Sequence, residues 1–436
     1  MSPDGIKESE FVFPGKILPP LNRLPRGKSA RDFASTAASN FSILIFSTVG
    51  GVLAARILGP AGRGEFAAAI VWAAILGVVV SLGFPQALTY FTARNPRMVG
   101  AIFYSSITMW LVQSTVGLVV GWVAASELLS RYQPAAVDAV RIYLFSIPFS
   151  LLTNYLSTMA QGLKRFGLFN TFRIASGAGY PLSLILACVT GIEKAPATLL
   201  ILLVMQIVIA FAALAVFFLK VNPRGRFDKK LSRQIVGYGF KSYWGNLSWL
   251  ANGRLDQFIM SAVIGLDQLG LYAVAVSYAT ITFPLSGSFA MVLFPNVAAS
   301  DREHAIEKVK RVIKINLLST GGSALFLALA CPLILPLLFG ADFSNSVKPA
   351  LILIGGTVLL GSNYVLSDGL RGLGKPLVPS IGEAFGLVVT IVGLFIMIPR
   401  YGIIGAAWVS VISYGIVLII LIRAIKQTTV KGGQAP

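Results

Sequence analysis

The chain has 436 residues, of which 56% are hydrophobic and 12% charged, with a mean hydropathy of +0.78. No soluble fold hides that much apolar side chain, so a water-soluble enzyme or binding module is excluded for the chain as a whole. The formal charge of +19 would suit a nucleic-acid partner, but the placement of the charges along the chain argues for membrane topology and no nucleic acid.

Apolar runs of eighteen residues or more predict transmembrane helices. Twelve are marked in chain order: 33–55, 65–92, 98–125, 137–163, 167–191, 197–219, 235–265, 268–299, 315–339, 348–370, 377–399 and 402–422. They are too long and too uniformly apolar for the alternating strands of a barrel. The fold class is therefore an all-α polytopic membrane protein. Residues 1–32 read as a disordered basic tail with no signal peptide, 33–219 as an N-lobe of six spans and 220–234 as a linker. Residues 235–425 read as a C-lobe of six spans and 426–436 as a second tail.

The loops on one side are basic, among them 220–233 and 301–314, and those on the other are short and hold few cations. The positive-inside rule then places both termini in the cytoplasm. Residues 301–314 read as an amphipathic helix on the inner surface, with Ile306, Val309 and Ile313 on one face and an i,i+4 pair of Glu307 and Arg311. His304 in this stretch reads as a solvated residue. Cys188 and Cys331 lie in apolar runs and read as small core residues; no metal-ligand spacing exists.

An internal repeat supports two halves. Ile57-Leu58-Gly59 and Gly64-Glu65-Phe66-Ala67 match Val263-Ile264-Gly265 and Gly270-Leu271-Tyr272-Ala273, 206 residues on. Gln161-Gly162-Leu163-Lys164-Arg165 matches Arg371-Gly372-Leu373-Gly374-Lys375, 210 residues on. Six spans separate each pair, so the halves have like orientation, and transporter sites lie where such halves meet. Prolines interrupt several spans; each frees a carbonyl and can kink a helix.

Residues 369–376 nearly spell a P-loop, but Pro376 stands where Ser or Thr would hold magnesium, and the stretch reads as a tight turn. No metalloprotease or serine-hydrolase motif occurs, so neither catalysis nor a cofactor is expected. The charges inside spans carry the remaining signal. Arg254 lies roughly 16 Å from the Gly265 end of its span, near the bilayer midplane. An interhelical ion pair and a substrate-facing cation both account for it. Asp256 diverges from it by about 200° around the helix, so the two do not share a face. Lys241 reaches towards the inner headgroups. Arg173 and Glu383 are equivalent under the 210-residue shift; they read as headgroup-seeking residues or as a gate pair across the halves.

The stretches ARILGPAGRGEFAAAIV (55–71) and RLDQFIMSAVIGLDQLGLYAVAVSYATITFPLSGSFAMVLFPNVA (254–298) resemble the lipid-linked oligosaccharide flippases and polysaccharide exporters of the multidrug/oligosaccharidyl-lipid/polysaccharide (MOP) superfamily. The resemblance implies two pseudo-symmetric six-helix lobes in a V, as in MATE-like transporters, and a bacterial cell-membrane location. It implies a cargo of undecaprenyl-pyrophosphate-linked oligosaccharide, or a related polysaccharide precursor, moved by alternating access. A polysaccharide polymerase and glycosyltransferases would be its partners, beside membrane lipids. A pyrophosphate needs cations where water is scarce, so Arg254, Lys241, Arg56 and Arg63 are the candidate cargo ligands. Asp256, Glu383 and Arg173 are candidates for ion coupling or gating. The alternatives are a cation-coupled drug antiporter on the same fold and a membrane-embedded sugar polymerase; the lack of a long outer loop weighs against the latter.

Overall fold

The computed structural model describes residues 26–129, 134–298, 300–375 and 377–430; within these, the side chains of 26–34, 37, 241–253, 291–292, 295, 298 and 428–430 are excepted. The described chain is helical, with thirteen α-helices in the order α1 (Arg26–Ser81), α2 (Phe84–Arg94), α3 (Val99–Leu128), α4 (Pro134–Leu144), α5 (Ser146–Gly162), α6 (Phe166–Val189), α7 (Ala195–Val221), α8 (Lys229–Val263), α9 (Leu266–Ala279), α10 (Phe283–Ala298), α11 (Arg302–Phe339), α12 (Val347–Gly372) and α13 (Leu377–Val430). Among the described residues, nine helical segments are long and apolar enough to cross a membrane.

Two of those segments are double. A straight helix of 56 residues, the length of α1, would run about 84 Å, far beyond a hydrocarbon core of about 30 Å. It reverses at Gly59, with φ 65° and ψ −177°. Gly50 and Phe66 therefore both lie on the ring of Tyr180, although sixteen residues separate them in sequence. Glycine takes that backbone conformation without strain, and Pro60 then starts the returning helix, where its missing N–H costs nothing. In α13 the reversal is at Gly402, φ 55°, and it brings Gly405 against the carbonyl oxygen of Met397. With α8 as a further crossing, α4 continuing into α5 and α9 into α10, the helices make twelve spans in two lobes. The first six spans run from α1 to α7 and the second six from α8 to α13.

The repeated motifs carry repeated structure. Gln161–Arg165 and Arg371–Lys375 end their helices with the same turn. Lys164 and its counterpart Gly374 have φ of 57° and 75°, and in each turn an amide bonds back five residues, Arg165 N to Ala160 O and Lys375 N to Leu370 O, both 2.9 Å. This is the Schellman arrangement at a helix C-terminus, and it accounts for the near-P-loop as a turn. The preceding glycines serve one purpose: a Cβ on Gly162 would press on Thr89, and one on Gly372 on Val297, so the fourth span of each lobe closes on its second.

The other glycine pair joins the lobes. A Cβ on Gly64 would fall 1.5 Å from the Leu266 oxygen, and one on Gly270 would fall 2.0 Å from the Pro60 oxygen. The two glycines cross backbone to backbone, as small residues permit between membrane helices. They seal the lobes together at the end opposite the basic loops. Lower on the same seam Gly51 meets Ser277. On the other seam Trp72 donates Nε1 to Ser261 Oγ at 2.9 Å and packs on Phe258. Tyr90 stacks on Tyr238, centroids 4.4 Å apart, near the basic end.

Residues 302–314 depart from the expected surface helix. They continue without a break into the ninth span as α11, 38 residues long. Ala305, Ile306 and Val309 are buried, and Val309 packs on Gly369 of α12. The apolar face is thus satisfied by the neighbouring helix rather than by lipid. Among the described residues Glu307 and Arg311 form no ion pair. Cys331 is buried as expected, whereas Cys188 is exposed rather than a core residue.

Two outcomes follow from these contacts. Gly64→Ala forces a shift of backbone and should cost about 2 kcal/mol or more. Gly287→Ala, which meets nothing within 4 Å, should be neutral or mildly stabilising; thermal unfolding in detergent reads the difference. The second outcome concerns His304, whose Nδ1 lies 2.8 Å from Asp301 Oδ2. This bond raises the imidazole pKa and lowers that of the carboxyl. The imidazole's share of the stabilisation is full below its unfolded value and fades as pH rises through the folded one. Because His304 is the sole histidine, its NMR titration midpoint is directly visible, and Asp301→Asn should lower it.

Candidate functional site

A chamber of about 390 Å³ lies between the lobes. Its N-lobe wall comes from α1, α4, α6 and α7, and its C-lobe wall from α8 and α9. Arg63 enters from α1, four residues past the Gly59 reversal, and Arg254 enters from mid-depth on α8. Each lobe thus contributes one guanidinium to a common space.

Among the described residues neither cation forms an ion pair, although Asp256 lies within electrostatic range of Arg254. Arg63 is only 7% exposed and its buried Nε has no partner. Among the described residues, neither Arg63 nor Arg254 forms a hydrogen bond or an ion pair. The two lie within electrostatic range of each other, and both lie within range of Tyr180. Arg254 is surrounded by protein, yet its side chain is solvent-accessible, because the chamber reaches it. The rest of the lining is neutral and polar in part: Ser47, Thr48, Tyr143, Gln206, Gln257 and Ser277. Among the described residues no carboxylate lines it. A cation at this depth costs several kcal/mol unless an anion or water compensates.

Asp256 does not supply that anion. It is 6% exposed and faces into the C-lobe, where Tyr272 donates to its Oδ2 at 2.6 Å and the Gln257 amide to its Oδ1 at 2.7 Å. Tyr414 and Arg254 lie within electrostatic range. The two-residue offset along α8 sets Arg254 on the chamber and Asp256 in the lobe behind it.

The other candidates are placed elsewhere. Arg56 bridges the lobes at the end opposite the basic loops, donating Nε to the Leu338 oxygen at 2.6 Å and Nη2 to the Leu337 oxygen. It therefore caps the C-terminus of α11, where helix carbonyls lack partners and the dipole favours a cation. Arg173 donates to Asn40 Oδ1 at 2.8 Å and lies over the Phe169 ring. Glu383 is on α13 within electrostatic range of Tyr414, so in this conformation it and Arg173 serve different lobes. The side chain of Lys241 lies outside the described residues.

A family profile described as "Polysaccharide biosynthesis protein" matches residues 29–301. The chain belongs to that family. An uncharacterised membrane protein of Methanocaldococcus jannaschii is 28% identical over 232 residues, 51% of this chain and 45% of its own length. A Haloferax volcanii protein, named for a flippase role in low-salt glycan biosynthesis, is 20% identical over 43% of this chain and 40% of its own. The chain thus spans less than half the length of these two relatives. A Shigella flexneri protein named for O-antigen transport is 21% identical over 81% of this chain and 87% of its own. Among solved structures, an inward-facing MATE family multidrug transporter of the MOP superfamily superposes with a TM-score of 0.73 at 15% identity, covering 92% of this chain and all of its own. The lipid II flippase MurJ in an inward closed conformation gives 0.70 at 15% identity, covering 89% of this chain and 87% of its own. The polysaccharide biosynthesis family member therefore has the MOP fold, with two six-span lobes.

Sequence reasoning missed Tyr143, Tyr180, Gln206 and Gln257 as chamber residues. A signal for the glutamines existed, because a lone amide in an apolar span is costly unless it faces a partner or a cavity. Tyr180 needs its counterpart Gly50, where a Cβ would lie 2.5 Å from the ring; that pairing is invisible along the chain.

The unpaired cation at Arg63 makes a trade-off between stability and binding. Arg63→Met should stabilise the empty protein by about 1–4 kcal/mol, since an apolar side chain replaces a buried unpaired charge. Inorganic pyrophosphate should raise the unfolding temperature of the wild type and leave that of Arg63→Met unchanged; unfolding curves with and without pyrophosphate check both halves.

Proposed function

We propose that the protein moves a polyprenyl-pyrophosphate-linked oligosaccharide, or a related polysaccharide precursor, across the cell membrane by alternating access. The observation that carries this reading is the pair of guanidiniums, one from each lobe, that face a common chamber and, among the described residues, meet no carboxylate on its wall and form no ion pair. A pyrophosphate between Arg63 and Arg254 removes their mutual repulsion and supplies both with charge-assisted hydrogen bonds, which arginine makes in bidentate form. The basic end is taken as cytoplasmic, on the positive-inside bias. The Gly64–Gly270 crossing and the Arg56 clasp then close the outer end, and cargo loads from the cytoplasmic side.

The lobes carry like charges towards each other, so an anion favours their approach, and approach at the cytoplasmic end is the step that traps the cargo. Release needs the glycine crossing and the Arg56 clasp to part. The Arg173–Glu383 gate would belong to the conformation closed at the cytoplasmic end. Asp256 and Glu383 would couple transport to a proton or sodium ion through the C-lobe, out of contact with cargo. The names of the Haloferax and Shigella relatives, and the family itself, support a glycan cargo. A cation-coupled drug antiporter is disfavoured, because a cationic drug would meet two arginines and no acid.

Proteoliposomes loaded with fluorescent polyprenyl-pyrophosphate oligosaccharide test this. Arg254→Ala should abolish translocation while folded protein persists, and Arg254→Lys should keep part of it, because lysine supplies charge without the fork. Wild-type rates in both variants would return Arg254 to a packing role.

A further inference from the structure

A second cavity, of about 440 Å³, lies within the N-lobe between α1, α5, α6 and α7. It is of ligand size. It shares Ser176 and Gln206 with the interlobe chamber, so the two spaces adjoin. Arg173, about 10 Å along α6 from its Phe166 start, places this cavity towards the basic end relative to Arg254.

The donor and acceptor pattern of its wall is specific. Ser150, Thr153 and Ser176 each give their hydroxyl proton to a carbonyl one turn back, at 3.0, 3.0 and 2.9 Å. Their oxygens are left as acceptors. Asn154 and Ser157 have no side-chain partner among the described residues, and the amide offers both a donor and an acceptor. At the neck Gln206 donates to the Tyr143 hydroxyl at 2.9 Å, while its own oxygen has no partner. Phe149 and Phe172 add apolar ring surface. Arg173 also lines the cavity, but its guanidinium is engaged by Asn40 Oδ1 and the Phe169 ring; a bare anion would leave the acceptors unsatisfied, and a hydrocarbon would satisfy none of these groups. A ring carrying several hydroxyls, each able to give and accept, satisfies the set and lays its C–H face on the phenylalanines.

From this wall we propose that the N-lobe cavity is the glycan subsite: it holds the sugar next to the pyrophosphate while Arg63 and Arg254 hold the phosphates. The inference rests on the reading of the interlobe chamber as the pyrophosphate site. Its position fits, since a sugar extending from a phosphate at mid-depth towards the loading side passes the neck at Gln206 and Ser176.

The test uses the full-length protein in lipid nanodiscs and three probes: bare polyprenyl pyrophosphate, and the same lipid bearing one N-acetylglucosamine or one glucose. The wild type should bind at least one sugar-bearing lipid more tightly than the bare one. The double variant Asn154→Ala/Ser157→Ala should lose about tenfold for that lipid, as expected for two hydrogen bonds, and nothing for the bare lipid. Arg254→Ala should weaken all three. Equal wild-type affinity for the three lipids, a comparison that needs no variant, would overturn the subsite, as would equal losses for bare and sugar-bearing lipid in the double variant. Unchanged binding in Arg254→Ala beside a sugar-selective loss in the double variant would instead overturn the pyrophosphate reading and leave the subsite standing.

Discussion

Two like charges facing each other across a lobe interface define the centre of this molecule. Arg63, just past the Gly59 reversal, and Arg254, at mid-depth of its span, come from different lobes, with no acid on the shared wall among the described residues. Such an arrangement is held only by water in the empty protein, and an anion entering the chamber would favour it. Among the described residues these charges form no ion pair, which is the feature on which the proposed anion site rests.

The lobes can hold this tension because they are fastened elsewhere. The Gly64–Gly270 crossing brings backbones closer than any side chain permits, and Arg56 ties α1 to the carbonyls that end α11. Both fasteners lie at one end of the molecule. Along one seam close packing reaches as deep as Gly51 against Ser277, and along the other the Trp72–Ser261 bond and the Tyr90–Tyr238 stack continue towards the basic end. The repeat seen in sequence is the trace of these contacts: a glycine recurs at 64 and 270 because each is the other's neighbour.

Much of this was legible along the chain. The twelve spans follow from apolar runs, and the tight turns follow from glycine placed where positive φ is needed, at Gly59, Gly374 and Gly402. Arg254 stood out because a cation at mid-depth needs a reason, whereas Arg63 was a candidate only as one of the cations that a pyrophosphate cargo would need. What escaped depends on pairings between distant segments. Arg56 carries the same charge as Arg63 seven residues away, yet it meets carbonyls of α11 rather than the chamber; no local pattern distinguishes the two. The face of 302–314 was read correctly as apolar, but its partner is α12, because a face that suits lipid suits a neighbouring helix equally well.

Span seven joins the two kinds of chemistry in the protein. Arg254 and Asp256 are two residues apart on α8, so one side chain faces the chamber and the other faces the Tyr272 hydroxyl inside the C-lobe. A rotation of α8 about its axis moves both at once: it cannot shift the guanidinium in the chamber without altering the hydrogen bonds to the carboxylate. If Asp256 gains a proton, its acceptor for Tyr272 weakens and the orientation of α8 is released from that side. This mechanical link needs no contact between a group in the chamber and the carboxylate. It requires only that one helix carry both groups on opposed faces, a spacing fixed by 3.6 residues per turn.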